Sequence, residues 1–85
     1  MKIIKFSATW CVPCKSYKKI WDNVKTKYPD VEWIEYDVEE NDIQTEEFNI
    51  RSVPTTIFIG PKGTKTNVGT LTESQIEEII NESTL

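Results

Sequence analysis

An apolar run, Ile3-Ile4-Lys5-Phe6, leads closely into Trp10-Cys11-Val12-Pro13-Cys14-Lys15. The run reads as a buried strand. The second segment opens a helix, because Pro13 fits a first helical turn, where its missing N–H has no intrahelical partner. The turn from strand to helix therefore puts two sulfurs at a helix N-terminus. There the unpaired amides and the positive end of the dipole favour a thiolate. A thiol primed in this way, with a second thiol one turn further on, can attack a disulfide and then close on its neighbour. These are the only two cysteines in the chain. The pair reads first as a redox site.

The totals bound the rest. With 85 residues the chain is expected to form one domain, residues 1–85, with one modest core. Three Trp, three Tyr and three Phe supply much of the apolar area. No apolar run approaches the roughly 20 residues of a membrane span, and the start lacks a signal-peptide pattern. No membrane association is expected, and a reducing compartment, the cytoplasm, is the expected location. The net charge of −4 is unevenly laid out. Residues 1–27 carry seven Lys and one Asp, whereas 28–50 carry nine acids and no base. Two solvated faces of opposite sign account for this; a basic rim near the cysteines would also steer acidic partners. An acidic chain without a basic stripe is a poor nucleic-acid binder.

Along the chain, residues 2–8 read as a central strand. Tyr17, Ile20, Trp21, Val24 and Tyr28 share one face of a helix that starts near Cys11 or Pro13 and stops at Pro29-Asp30. Val31 to Val38 reads as a second strand, so strand, helix and strand make a right-handed unit with parallel strands. Asn41 to Phe48 reads as a short helix, with Phe48 and Ile50 turned to the core. Val53 to Ile59 is a third strand, Gly60-Pro61-Lys62-Gly63 a hairpin turn, and Thr64 to Thr70 an antiparallel fourth strand. Thr72 and Gln75 form a capping box, with Leu71 and Ile76 placed as a hydrophobic staple. Ile76, Ile79 and Ile80 give the last helix its buried stripe. The order is βαβαββα.

Two Cys at this spacing can also be half of a zinc site. A structural zinc needs four protein ligands, and this chain has no His and no second Cys pair, so metal would require a dimer or outside ligands. No metal or cofactor is expected. Of the two sulfurs, Cys11 reads as the nucleophile, at an exposed lip before the helix, and Cys14 as the resolving thiol inside the first turn.

Trp-Cys-x-Pro-Cys-Lys after a Phe-containing strand, then Val53-Pro54-Thr55, then Val68-Gly69 before the last helix, resembles the thioredoxin superfamily. The resemblance covers Ile3–Cys14, Asp37–Asn41, Ile50–Thr55 and Val68–Leu71. It implies an α/β fold with a four-stranded mixed sheet of order 2-1-3-4 and helices on both faces. It also implies a cis Val53-Pro54 bond facing the cysteines. Substrate would dock on Trp10, Val12, Pro13, Val53, Pro54, Val68 and Gly69. Trp21 and Trp33 read as structural.

The chain departs from the family pattern in four ways. It begins at the motif-bearing strand, closer to glutaredoxin and the short thioredoxin-like proteins, which makes the second strand an edge guarded by Glu32, Glu35 and Asp37. Val12 stands where a glycine is usual and stiffens the loop between the cysteines. Lys5 occupies the place of the family's buried aspartate, and Glu35 that of its lysine partner. The resemblance thus implies an inverted buried pair, with Glu35 able to relay a proton to or from Cys14. Lys19 replaces a helix-kinking proline, so a straighter helix is expected.

The function implied is a disulfide oxidoreductase, reducing protein disulfides through Cys11 and Cys14 by way of a mixed disulfide. Thioredoxin reductase or glutathione would supply electrons, and the protein would act as a monomer. A glutathione-dependent glutaredoxin is the nearest alternative, although Val68-Gly69-Thr70-Leu71-Thr72-Glu73 only partly meets that family's glutathione-binding tail. A binding module with incidental thiols, or a dimeric metal or iron–sulfur carrier, stands further off.

Overall fold

The computed structural model describes residues 1–84. Its centre is β1 (Lys2–Ser7), where Ile3, Ile4, Lys5 and Phe6 are all buried. A strand buried on both faces needs partners on both edges and cover on both sides. The parallel partner is β2 (Glu32–Asp37), with Lys5 in register with Glu35. The antiparallel partner is β3 (Thr55–Gly60), with Lys5 opposite Thr56, and β4 (Gly63–Val68) completes the order β2-β1-β3-β4. The mixed four-stranded sheet of order 2-1-3-4 is the architecture expected from the sequence.

Side-chain alternation sorts the core into two layers. Ile3 on one face packs with Tyr17, Trp21 and Val24 of α1 (Val12–Lys27) and with Ile76 and Ile80 of α3 (Glu73–Thr84). Ile4, Phe6 and Ile57 face the other way, towards Tyr36, Phe48 and Ile50. The last two follow the short α2 (Asp42–Glu47), which buries no residue of its own, and they pack against this side. α1 runs as one helix through Lys19.

The capping box at α3 forms in both directions. The Thr72 N–H donates to Gln75 Oε1 at 2.9 Å, and the Gln75 N–H donates to Thr72 Oγ1 at 3.1 Å. All four strands end within one or two residues of the limits expected of the sequence but not on them, and two of the shifts have a clear cause. β3 starts at Thr55 rather than Val53, because Pro54 has no N–H to give a ladder. β4 stops at Val68, because Gly69, at φ 98°, turns the chain so that its N–H donates to the Pro54 carbonyl at 2.8 Å.

Between α1 and the sheet, the Tyr17 hydroxyl bonds Thr56 Oγ1 at 2.8 Å, with both residues fully buried. Burial pushes the Tyr17 phenol above its ordinary value, and the Thr56 bond only partly offsets this. A raised value in the folded state means that the neutral phenol favours folding. This contribution is intact below about pH 10, the unfolded value, and is lost as the pH rises beyond it. Tyr17→Phe is expected to cost about 1 kcal/mol at neutral pH, the worth of one hydrogen bond. In denaturant titrations from pH 7 to pH 11, the gap between wild type and Tyr17→Phe should narrow above pH 10.

Candidate active site

The β1–α1 junction carries the cysteines. Ala8 accepts the Cys11 N–H at 3.2 Å, and this turn sets Cys11 as the N-cap of α1 in an extended conformation (φ −87°, ψ 109°). A cap normally offers an oxygen to the first free amides of a helix. Here the acceptor is sulfur: the Cys14 N–H donates to Cys11 Sγ at 3.2 Å. Cys11 and Cys14 are joined by a disulfide, with their Cα atoms 5.3 Å apart.

One expectation needs correction. The sequence suggests an exposed lip for Cys11, yet it is 4% exposed and Cys14 5%. Both cysteines pack with Ala8, Val38 and Val53, which cover the bonded pair. What separates the two sulfurs is therefore direction. Cys11 Sγ lies 3.7 Å from the Val53 carbonyl oxygen, beside the cis Val53-Pro54 bond. Cys14 lines a crevice of about 320 Å³ on the α1 side of the sheet, shared with Lys5, Lys18, Glu35 and Asp37.

Around Cys11 the surface is apolar. Trp10, Val12 and Val68 are 66–73% exposed, and Pro13 is exposed beside them. Val53 and Gly69 are half-buried, and Pro54 is buried. The Gly69–Pro54 backbone bond brings the end of β4 alongside the cysteines. Trp10 also walls a small depression of about 110 Å³ with Val38, Ile50 and Arg51. Large apolar side chains left in water and grouped about one point mark an interaction surface.

Beneath the cysteines, Lys5 Nζ meets Glu35 Oε1 at 2.9 Å. The inverted pair forms, but it is not buried throughout. Lys5 is 2% exposed and Glu35 39%, because β2 is an edge strand and its side chains reach solvent. Lys5 Nζ also stands 4.9 Å over the Trp21 ring. That contact gives the ammonium a second source of compensation. Trp21 packs edge-on against Trp33 at 5.0 Å, and Trp33 Nε1 donates to the Tyr28 carbonyl at 2.9 Å. Both tryptophans are structural, as expected, although nothing in the sequence singles out Trp21 as the seat of the Lys5 ammonium. Sequence reasoning also misses Lys18; its spacing of four from both Cys14 and Asp22 is the available signal. It pairs with Asp22 at 3.2 Å, and Asp22 together with Glu35 raises its ammonium above the usual lysine value.

Among the described residues, no group of three or more His, Cys, Asp or Glu is placed to hold a metal ion. No helix among them is long and apolar enough to cross a membrane.

The thioredoxin family model matches residues 1–82. The chain belongs to the thioredoxin family. It is 35% identical to a thioredoxin of Pongo abelii over 83 residues, covering 94% of this chain and 76% of that protein. Thioredoxin H5 of Oryza sativa subsp. japonica is 35% identical over 57 residues, covering 67% of this chain but only 42% of its own length. The chain thus spans less than half of that relative. Among solved structures, chloroplastic thioredoxin z superposes with a TM-score of 0.90 at 29% identity, covering 98% of this chain and 77% of the other. The bonded Cys11–Cys14 pair lies within the residues that the family model matches.

The exposed position of Trp10 leads to a direct check. Trp10→Ala is expected to change the unfolding free energy by no more than about 0.5 kcal/mol, as surface substitutions do. A loss of about 3 kcal/mol or more in denaturant titration would instead place this side chain in the core.

Proposed function

We propose that this chain, acting as a single domain and as a monomer, reduces protein disulfides, with Cys11 as attacking thiolate and Cys14 as resolving thiol. One observation carries the assignment: Cys11 Sγ receives the Cys14 N–H at the start of α1. In the reduced protein the same amide, with the free amides and dipole of the first turn, stabilises negative charge on Cys11. Nothing comparable serves Cys14, which donates its own amide to its partner.

The reaction balances as two exchanges. The Cys11 thiolate attacks one sulfur of a substrate disulfide, forming a mixed disulfide and releasing one substrate thiolate. Cys14, once deprotonated, attacks Cys11 Sγ and releases the second. The substrate gains two electrons and, after protonation, two thiols, and the chain is left with the Cys11–Cys14 disulfide. Trp10, Val12, Pro13 and Val68 offer an apolar seat for the substrate segment next to its cystine. The carbonyl of Val53 and the backbone about Pro54 and Gly69 lie beside Cys11, within reach of an extended substrate chain. This chemistry belongs in a reducing compartment such as the cytoplasm. A flavin-dependent thioredoxin reductase is the proposed electron source, in keeping with the family.

Cys14→Ser is expected to halt the reaction at the mixed disulfide, giving a covalent adduct with a disulfide-containing protein such as insulin on non-reducing gels. Cys11→Ser should give none. Insulin reduction driven by NADPH and thioredoxin reductase should exceed that driven by glutathione. The reverse ranking would move the protein to a glutathione-dependent role.

A further inference from the structure

We infer that Arg51 and the depression it shares with Trp10 form a specificity subsite, which favours protein segments carrying an acidic residue beside the reacting cystine. The inference rests on the proposed dithiol mechanism and names the class of segment that Cys11 reduces fastest. In a chain of 14 acids and 10 bases, Arg51 is the only base between Lys27 and Lys62. Nine Asp and Glu share that stretch with it. Even so, among the described residues no carboxylate forms an ion pair with Arg51. Its Nε–H donates to Asn49 Oδ1 at 3.4 Å, which leaves the outer guanidinium nitrogens without a carboxylate partner.

The backbone that carries Arg51 is held in place. After α2, the N–H groups of Phe48, Asn49 and Ile50 donate back to the carbonyls of Gln44, Glu46 and Thr45 at 2.9–3.0 Å. Asn49 takes φ 53°, a left-handed conformation that asparagine tolerates better than most residues. This loop delivers Arg51, exposed, to the depression of about 110 Å³ walled by Trp10, Val38, Ile50 and Val53. Two of those walls adjoin the reacting sulfur. Trp10 directly precedes Cys11, and the Val53 carbonyl oxygen lies 3.7 Å from Cys11 Sγ. An extended segment advances about 3.3 Å per residue, so a side chain one or two positions from the substrate cysteine comes within reach.

The lining selects chemistry as well as position. A volume of about 110 Å³ holds three or four waters of about 30 Å³ each, the bulk of a short side chain rather than of an aromatic ring. Apolar walls suit methylene groups. A guanidinium suits a carboxylate, which it can grip through two parallel N–H···O bonds. Aspartate and glutamate offer both features at once. A substrate lysine would meet like charge, and a neutral residue would gain the apolar contact alone. Arg51 is the one charged residue lining the depression. Lys15 and Lys18 line the separate crevice beside Cys14, and Lys62 sits in the β3–β4 hairpin at the opposite end of the sheet.

The test uses the reduced full chain and three disulfide-bonded peptides that differ only in the residues flanking one cysteine: glutamate, glutamine or lysine. Wild type should reduce the glutamate peptide about fivefold faster than the glutamine peptide, the scale of an exposed ion pair. Added salt should narrow the gap. The readout is a ratio within one protein, so a general loss of activity does not move it. Arg51→Gln should bring the ratio close to one, and Arg51→Glu should favour the lysine peptide. Lys62→Glu makes the same change in net charge at the opposite end of the sheet and should keep the wild-type preference. A wild type without preference, a preference unchanged in Arg51→Gln, or one lost equally in Lys62→Glu would overturn the inference. So would a greater loss in Arg51→Gln for glutathione disulfide than for the glutamate peptide, because the subsite would then serve glutathione rather than a protein segment. A wild-type protein that reduces none of the three peptides would overturn the dithiol mechanism itself, and the inference with it.

Discussion

A hydrogen bond from the Cys14 amide to Cys11 Sγ, 3.2 Å long, is the interaction on which the site depends. It exists because Cys11 is the N-cap of α1, and Cys11 is the N-cap because β1 ends four residues earlier, at Ser7. β1 in turn lies between β2 and β3 and is buried on both faces. A strand so enclosed can end only at the sheet's rim. The next helix must fold back over one face to cover Ile3, which it does with Tyr17, Trp21 and Val24. Packing thus delivers the thiol to the rim with amides aimed at it. The cost is borne by folding the whole domain, not by the loop.

Much of this was legible in the chain. The β-branched and aromatic runs, the spacing of Tyr17, Trp21 and Val24, and the reciprocal Thr72–Gln75 cap are local signals, and local signals survive folding. Lys5 and Glu35 could be matched only through the resemblance to the family; the parallel register of β1 and β2 does place them opposite each other. What was not legible depends on three-dimensional packing. Equal burial of Cys11 and Cys14 comes from Ala8, Val38 and Val53 closing over both, three residues far apart in the chain. The Lys5–Trp21 contact joins a strand to a helix, and no periodicity reports it. The partial exposure of Glu35 comes from its place on an edge strand, which the topology gives but the residue type does not.

The Lys5–Glu35 pair illustrates how stability and chemistry are linked here. A buried ammonium with no partner costs several kcal/mol, so Lys5 requires both the carboxylate and the aromatic face. Glu35, partly in water, contributes less to stability than its short distance suggests. One member of the pair is fixed by burial and the other is left in touch with solvent, and both line the crevice that Cys14 shares.

The account stands or falls on the asymmetry between the two sulfurs. The direct measurement is the rate of iodoacetamide alkylation of each cysteine in the reduced protein as a function of pH, with the modified residue located by peptide mass. The account predicts that Cys11 is alkylated first, with a midpoint clearly below the ordinary thiol value of about 8.5. A Cys11 midpoint at or above that value, or prior alkylation of Cys14, would contradict it.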